Sequence, residues 1–359
     1  MNSQSAIHSP STVEATVYPR VAICIVNWNG WQDTLECLDA VRRMDYGNYV
    51  TVVVDNGSTD GSAEKIKAWA EQNFGPAQAV VDYTRAEAVK GGESAAERSL
   101  ECVPASARLV LIRNEENLGF TGGNNVAIHY ALHRGAPADY VFLLNNDALP
   151  KADCVRLLVV ADQQANAGIA GAVVLTGDGR EVEFAKSGPP LALFFAPIIN
   201  AYVPLPQDGQ ATWESGYVNG AAMLIRKDAL AAVERLGHDY LDDRLFLYWD
   251  ELAFCNNARK SGFKCVVARD ATVRHKGGKS SGGFSNPIYY YYSGRNRILL
   301  VSEFLPLRWR IAFHLIHTPM RLVSALNNLR SGRSKSARAI VLGLIDGYRG
   351  VTGKWNDHG

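Results

Sequence analysis

Short apolar runs alternate with segments of helical spacing through the first 150 residues. Four runs are apolar at nearly every position, and they span residues 21–26, 49–54, 109–112 and 140–144. Three further segments repeat apolar residues every three or four positions, over residues 35–44, 63–74 and 124–134. Strands that are apolar on both faces and alternate with helices are typical of a parallel sheet covered by helices. This half of the chain is therefore predicted to consist of β-α-β units.

The second half is less regular. Its predicted strands span residues 169–175, 217–225 and 264–268, and its predicted helices span residues 228–236 and 252–260. Residues 75–108 are polar, are broken by Gly91-Gly92 and are interpreted as an insertion. Residues 181–215 contain five prolines, too many for long regular elements, so we expect a mobile or acceptor-facing loop there.

Charge and cysteine content narrow the function classes. The 37 basic and 36 acidic residues nearly cancel, so no overall field indicates nucleic acid as a partner. Residues 304–359 differ, because they contain nine basic and two acidic residues. The six cysteines show no CxxC spacing, which favours free thiols in a reducing compartment. With a polar first segment and no long apolar run, the protein is predicted to be cytoplasmic, either soluble or peripheral on the inner face of the membrane.

Polar residues follow the predicted strands at the sheet edge where α/β proteins bind ligands. The turn Asn27-Trp28-Asn29-Gly30 lacks the GxGxxG of dinucleotide-binding proteins and offers a ring and two amides to a base. Asp55, after the second strand, can accept a hydrogen bond from a base or a ribose. The alternative for residues 55–58 is a turn and helix cap, which the same residue types favour.

The segment 114–125, NEENLGFTGGNN, is the second candidate ligand loop. Glycines at 119 and 123 would let the backbone approach a ligand, and the amides of Asn117 and Asn124 would supply donors and acceptors. A tight loop with an asparagine helix cap is the alternative.

A carboxylate follows the fourth predicted strand, in Asn145-Asn146-Asp147. A hard divalent cation takes oxygen ligands and shares its coordination shell with water and substrate phosphates. Asp147, a second protein ligand and a diphosphate would therefore be enough to hold the ion. The alternative is a surface turn.

Three further groups are candidates for chemistry in the second half. Asp250-Glu251 follow aromatic residues and begin a helix, which suits a general base as well as an acidic helix start facing the macrodipole. His275 leads into a loop rich in glycine and lysine that suits a phosphate, although a lone histidine is more often structural. Arg295 and Arg297 either clamp a phosphate or flank a core helix.

Seven motifs follow one another along the chain: VNWNG, DNGSTDGS, NLGFTGGNN, LLNND, NGAAMLIRKDAL, YWDE and RHKGG. In this order they resemble glycosyltransferase family 2, and within it the bacterial rhamnosyltransferase-like members. The resemblance covers about residues 20–300. It implies an α/β fold of GT-A type, with a Rossmann-like, mostly parallel central sheet flanked by helices. It also implies a nucleoside-diphosphate sugar donor, with dTDP-rhamnose favoured, and a saccharide or polyprenyl-linked saccharide acceptor in cell-surface polysaccharide synthesis.

The resemblance assigns roles to particular residues. Asn27 and Asp55 match nucleoside-binding positions. Asp147 matches the metal ligand of the family's DxD-type motif, and His275 matches a late histidine that can complete a site for Mg²⁺ or Mn²⁺. Glu251 matches the second residue of the family's acidic pair, the usual catalytic base.

Two departures from the family pattern bear on these roles. Asn145 stands where the general motif has its first Asp, so two carboxylates are not available for the metal. The acidic pair is Asp-Glu, where Glu-Asp is commoner, which keeps Asp250 as a second candidate base. The implied reaction is an inverting single displacement without a covalent intermediate. A non-catalytic nucleotide- or carbohydrate-binding module on a transferase scaffold is the alternative function.

The predicted domain organisation has three parts. A flexible leader covers residues 1–19, the GT-A domain covers residues 20–300 with a nucleotide-binding half to residue 150, and a basic helical extension covers residues 301–359. Basic and aromatic residues in the extension indicate either an anionic membrane surface or packing on the catalytic domain or on a dimer partner.

Overall fold

The computed structural model describes residues 18–73, 79–188, 194–195, 202–203, 205–206, 208–237, 239–277 and 286–356. Its strands are β1 (Val21–Asn27), β2 (Tyr49–Asn56), β3 (Val80–Thr84), β4 (Leu109–Asn114), β5 (Tyr140–Leu144), β6 (Ala148–Pro150), β7 (Gly168–Thr176), β8 (Val182–Phe184), β9 (Lys186–Ser187), β10 (Tyr202–Val203), β11 (Thr212–Glu214), β12 (Ala222–Arg226) and β13 (Lys264–His275). Its helices are α1 (Trp31–Val41), α2 (Ser62–Asn73), α3 (Arg85–Ala88), α4 (Ser94–Glu101), α5 (Gly119–His133), α6 (Cys154–Ala165), α7 (Lys227–Glu234), α8 (Asp250–Lys260), α9 (Pro287–Phe304), α10 (Leu307–Arg330) and α11 (Ser334–Arg349).

One large sheet forms the centre of the molecule, in the order β11-β13-β7-β12-β5-β1-β2-β4-β3. The pairs among β5, β1, β2, β4 and β3 are parallel, as are β13 and β7. Strand β12 is antiparallel to both of its neighbours. The predicted α/β fold with a mostly parallel, Rossmann-like sheet is confirmed.

Helices cover both faces of the sheet, which explains why its central strands are apolar at successive positions. Along β1, Cys24 packs into the apolar cluster on one face and Ile23 into the cluster on the other. Val52 and Val53 of β2 alternate in the same way. Burial on both faces requires continuous apolar runs, and these runs were the signal that the sequence analysis used.

The sequence-based interpretation was wrong at residues 75–108. Within the described part of this segment, β3 forms the edge strand of the sheet, parallel to β4, and α3 and α4 follow it. An edge strand is buried less than a central one, so β3 accommodates Asp82 and Thr84 and shows no continuous apolar run.

Two predicted strands have different bounds in the structure: one begins later and the other ends later than predicted. The segment 217–225 becomes a strand only from Ala222, because Asn219 closes a turn through its side chain to the Ala221 N–H. Strand β13 continues to His275, past an irregularity between Ala268 and Thr272. Most of the proline-rich segment 189–207, and the leader to residue 17, lie outside the described residues.

Three helices, α9 to α11, complete the chain. The predicted boundary after residue 300 falls inside α9, so the helical extension begins at Pro287. Helix α11 packs on α9, where Gly343 faces the Tyr291 backbone and the Tyr291 hydroxyl donates to Asp346. Among the described residues, no helix is long and apolar enough to cross a membrane.

Gly343→Ala is expected to destabilise the protein, because the added methyl group would lie 2.5 Å from the carbonyl oxygen of Tyr291. Overpacking of this kind costs about 1–3 kcal/mol, measurable as a lower free energy of unfolding in denaturant. Gly47→Ala is the control, since its Cβ would meet no atom within 4 Å. Equal stability of the two variants would contradict the tight α9–α11 contact.

Candidate active site

A cleft with a volume of about 930 Å³ opens at the carboxyl ends of β1, β2 and β5. Residues of four regions of the chain line it: the strand ends (Val26, Trp28, Asn56, Gly57, Leu144 to Asp147), the loop before α5 (Glu116, Asn117, Gly119, Phe120), the loop before α8 (Phe246 to Tyr248), and the C-terminal helices with the segment after them (Asn286 to Ile288, Tyr292, Lys335, Arg338, Lys354, Trp355). Parallel α/β sheets bind ligands at this edge.

An amide network holds the first wall of the cleft. Asn56 accepts hydrogen bonds from Asn114 and from the Leu118 N–H, and donates to Asn117 and to the carbonyl of Gly119. Of the predicted ligand-binding residues in this loop, Asn117 and Gly119 line the cleft. Gly119 has a positive φ of 76°, and a side chain there would collide with the Phe246 carbonyl. The glycine therefore allows two loops to meet.

Several predicted cofactor-binding residues turn out to be structural. Asn27 is fully buried, donates to Asp55 and Ser58 and accepts from Thr34, so it joins the ends of β1 and β2 and cannot touch a ligand. Asn124 is buried within α5 and donates to the Phe120 carbonyl. Gly123 lies against Val26 and Asn56 and allows close packing of α5 on the sheet.

Asp55 and Asn29 are not among the residues that line the cleft. Both carboxylate oxygens of Asp55 accept hydrogen bonds, from Asn27 and from the Ser58 N–H. Asn29 is exposed, with its side chain bonded to the Thr59 N–H. The cleft residues next to them in sequence are Trp28 and Asn56.

Asp147 and His275 come together as predicted. Asp147 lies in the turn that follows β5 and lines the cleft together with Asn146. The Asn146 amide donates hydrogen bonds to the Gly30 carbonyl and to the Thr34 hydroxyl. His275 Nε2 lies 3.2 Å from Asp147 Oδ1, and its Nδ1 lies 3.2 Å from Glu183. Burial works against a charged imidazole, but hydrogen bonds to Asp147 and Glu183 raise the pKa of His275 to about 9.

The donor set at this point fits a divalent cation that shares its shell with a substrate. Asp147 and His275 offer one carboxylate and one imidazole, which would leave positions for phosphate and water. Among the described residues, no group of three or more histidine, cysteine, aspartate and glutamate side chains is placed to hold a metal ion. Glu183 holds the second nitrogen of His275, the usual arrangement behind a metal-bound histidine. In addition, the buried Oδ1 of Asn145 has no hydrogen-bond partner in the described structure.

The acidic pair Asp250-Glu251 begins α8 and is not among the residues lining the cleft. Asp250 is 2% exposed, and burial together with the Glu251 charge raises its pKa well above the ordinary range. Burial also raises the pKa of Glu251, which is half-buried beside Gly220. The two neighbouring carboxyl groups therefore both favour the protonated form more than an exposed carboxyl group does.

The backbone before this pair is strained. Phe246, Tyr248 and Trp249 all have positive φ values, between 64° and 72°, which side chains of this size rarely adopt. The Asn296 amide donates to the carbonyls of Leu245, Leu247 and Tyr248 and so fixes this conformation.

Arg295 was a candidate phosphate ligand, and the structure corrects this assignment. Its guanidinium is fully buried and donates to the carbonyls of Arg244, Leu245 and Gly353. The alternative of a core helix position is the one observed, and Arg297 is buried as well.

The C-terminal extension contributes residues to the cleft that were not predicted from the sequence. Lys335 and Arg338 lie near the start of α11, and Lys354 and Trp355 follow that helix. Lys335 and Lys354 form no ion pair with any described residue. The excess of basic residues in 304–359 indicated an anionic partner for this segment. It does not reveal which of these basic residues line the cleft.

Comparisons with known proteins agree with this architecture. Residues 22–86 match the family model described as glycosyl transferase family 2. The low-salt glycan biosynthesis hexosyltransferase Agl10 of Haloferax volcanii is 26% identical over 183 residues, which are 51% of this chain and 57% of that protein. The match thus spans little more than half the length of the relative.

Two solved structures share the fold at low sequence identity. The mannosyltransferase PcManGT from Pyrobaculum calidifontis, in complex with GDP-Man and Mn²⁺, is 15% identical with a TM-score of 0.54, over 93% of this chain and 88% of that one. GalNAc-T7 with UDP, GalNAc and Mn²⁺ is 13% identical with a TM-score of 0.51, over 84% of this chain and 55% of that one. Residues 22–86 are thus similar to glycosyltransferase family 2, and the fold of the chain is of the GT-A type.

Proposed function

We propose that the protein transfers a sugar, with inversion, from a nucleoside-diphosphate donor to a hydroxyl group of a saccharide or lipid-linked saccharide acceptor in cell-surface polysaccharide synthesis. The observation that carries this proposal is the cleft in which Asp147 faces a wall containing Lys335, Arg338 and Lys354. A cleft lined by a carboxylate that can hold a cation and by cationic side chains suits a diphosphate. The resemblance to rhamnosyltransferases favours dTDP-rhamnose as the donor.

The nucleoside would lie at the ends of β1 and β2. Trp28 is partly exposed at the cleft and offers a ring for base stacking, and Asn56 and Gly57 line the same wall. The diphosphate would lie between Asp147 and α11. The start of α11 has no side-chain cap and no acidic residue in its first turn, so the helix dipole there also favours an anion.

Asp147 and His275 would hold Mg²⁺ or Mn²⁺, and Glu183 would orient the imidazole. When bound, such an ion neutralises charge on the leaving diphosphate, which is worth several kcal/mol of barrier lowering. Mn²⁺ accompanies the nucleotide in both solved structures that share the fold, which supports the choice of ion.

Glu251 is the proposed base that accepts the proton of the acceptor hydroxyl. Glu251 and Phe120 both lie within 4 Å of the Cβ position at Gly220, and Phe120 lines the cleft, so the acceptor would approach from this side. Asp250 is the poorer candidate, because it is only 2% exposed and burial raises its pKa. In its protonated form Asp250 would donate a hydrogen bond, and Glu251 is the proposed acceptor.

A non-catalytic binding module is the second candidate function. Such a module has no need of an ionised, half-buried carboxylate beside the donor cleft. Retention of the Asp250-Glu251 pair with raised pKa values therefore favours the enzyme.

Glu251→Gln is expected to lower the rate of transfer by about 10²- to 10⁴-fold, the usual contribution of a general base. Asp250→Asn is expected to keep activity within about tenfold of the parent, since an amide can replace the hydrogen bond of a protonated carboxyl. Turnover of a nucleotide sugar with a matched acceptor measures both. The assignment of the base would be reversed if Asp250→Asn were the more damaging change.

Asp147→Asn is expected to abolish the Mn²⁺-dependent rise in melting temperature that a nucleoside diphosphate produces, because a ligand that binds only the folded state stabilises it. A screen of dTDP, UDP and GDP with Mn²⁺ measures this rise and ranks the bases, with dTDP expected first. Asp45→Asn, an exposed site outside the cleft, is the control. A normal Mn²⁺ response in Asp147→Asn would exclude Asp147 as the ligand.

We further propose that α10 rests on an anionic membrane surface. One face of this 24-residue helix exposes apolar side chains at helical spacing: Leu307, Ile311, Leu315, Leu322, Leu326 and Leu329, of which Leu315 is 71% exposed. The helix contains no acidic residue, and its arginines at 308 and 330 are exposed. Exposed apolar and cationic side chains on one helix complement anionic lipid, whereas two copies of it would bring like charges together.

Leu315→Glu is expected to reduce cosedimentation with phosphatidylglycerol vesicles at least fivefold, since it places a charge in the middle of the apolar face. Leu236→Glu, at another exposed apolar residue, is expected to have no effect. Absence of vesicle binding by the parent protein would contradict the proposal. So would a dimer in solution that Leu315→Glu dissociates, which would instead indicate a homodimer interface.

A further inference from the structure

A second, smaller cavity lies among the C-terminal helices. Its volume is about 230 Å³. The residues that line it are Phe194, Phe195, Arg297, Phe313, Ile316, His317, Met320, Arg321 and Ser324. None of them lines the donor cleft, so the two cavities are separate sites.

Two arginines of this cavity have no carboxylate partner among the described residues. Arg297 is 7% exposed, donates to the Phe194 carbonyl and lies between the rings of Trp249 and Phe313. Arg321 donates to the Tyr290 carbonyl. Burial and the neighbouring Arg321 charge lower the pKa of Arg297 to about 10, and burial lowers the pKa of Arg321. A buried charge without a counter-ion is costly.

Four buried nitrogen atoms in the cavity also lack hydrogen-bond partners in the described structure. They are Nε of Arg297, Nε of Arg321 and both ring nitrogens of His317. His317 is 4% exposed and stacks on Phe313. Burial and the two arginines lower its pKa to about 2, so the ring is neutral. A neutral imidazole has one donor and one acceptor nitrogen, so three of the four atoms are unpaired donors. Buried polar groups are almost always paired, and three unpaired donors in the residues around one cavity indicate a ligand that accepts hydrogen bonds.

The chemistry of the cavity selects the ligand class. Two guanidinium groups match the geometry and charge of a phosphate. The remaining wall is apolar, and Ile316 and Met320 are partly exposed on α10, the helix with the apolar outer face. The volume is below the roughly 300 Å³ minimum of drug-sized ligand sites, so the cavity would take a head group while an apolar chain leaves along α10.

We propose that this cavity, built by Arg297, Arg321 and His317, binds the phosphate group of an amphipathic lipid. The Arg297 guanidinium also contacts the ring of Trp249, the residue before the acidic pair, so a lipid-linked acceptor held here would lie close to Glu251. The phosphate could belong to such an acceptor or to a membrane phospholipid. Binding does not rest on sugar transfer or on the donor cleft, so it is testable without activity.

The test uses the full chain and measures calorimetric affinity for farnesyl phosphate, with farnesol as the uncharged analogue. Farnesyl phosphate is expected to bind at least tenfold more tightly than farnesol and than inorganic phosphate, because both the charge and the chain contribute. Equal affinities for farnesyl phosphate and farnesol would overturn the proposal. Nucleotide binding in the same preparation reports on the donor cleft independently.

Variants separate ligand binding from a structural role. Arg321→Gln is expected to weaken farnesyl phosphate binding at least tenfold, and His317→Phe at least fivefold. Neither is expected to lower the melting temperature of the ligand-free protein. Arg321→Gln relieves charge repulsion between the arginines, and His317→Phe replaces a ring with unpaired buried nitrogen atoms by an apolar ring. Arg330→Gln, on the exposed end of the same helix, is the control and is expected to stay within twofold. Unchanged affinity in both cavity variants would refute the site.

A competition experiment identifies the source of the phosphate. Short-chain phosphatidylglycerol that displaces farnesyl phosphate with similar affinity would indicate a phospholipid head-group site. Displacement by farnesyl diphosphate, with phosphatidylglycerol at least tenfold weaker, would indicate the phosphate of a lipid-linked acceptor. Failure of both to compete would overturn the assignment to a lipid phosphate.

Discussion

The site depends on hydrogen bonds from two buried residues in α9 to the carbonyl groups of the loop before α8. Asn296 donates to three of these carbonyls, and Arg295 donates to two carbonyls at the start of the loop and to Gly353 near the end of the chain. One helix thereby fixes the strained backbone before Glu251 and the segment that carries Lys354. Since each strained residue costs on the order of 1–3 kcal/mol, such a conformation persists only where the surroundings impose it.

This arrangement explains why the C-terminal extension is part of the site. Lys354 lies between two anchored neighbours: Gly353 is held by Arg295, and Trp355 stacks on Tyr291 at 4.5 Å. The lysine is therefore directed to the cleft by contacts on both sides of it. Lys335, Arg338 and Lys354 line the same cleft as Asp147, which follows β5. Distant parts of the chain thus contribute charges of both signs to one cleft.

The sequence predicted those features that depend on local pattern. Strands β1, β2, β4 and β5 are buried on both faces, and their apolar runs revealed them. The proximity of Asp147 and His275 could be predicted because both follow strands, and neighbouring strands bring such ends to one edge. Their role as metal ligands stays a prediction. Strand β3 was not predicted from the sequence, because an edge strand contains polar residues and lacks a continuous apolar run.

The features that the sequence could not reveal depend on long-range contacts. Asn27 and Arg295 are polar residues of the kind that bind nucleotides. Only the structure shows that both are buried and form their hydrogen bonds with other residues of the protein. Lys335 and Lys354 are far along the chain from the strand ends that line the same cleft, so no spacing rule identifies them. Gly123 looked like a ligand-binding glycine, but the space beside it is filled by Val26.

The most direct test of the central claim is a crystal structure of the full chain with Mn²⁺ and a nucleoside diphosphate. The account predicts the ion within about 2.0–2.3 Å of the Asp147 carboxylate, given typical metal–oxygen distances. It also predicts the diphosphate between that ion and the start of α11, in contact with Lys335 or Arg338. A nucleotide bound away from Asp147, or one whose phosphates point out of the cleft, would contradict the account.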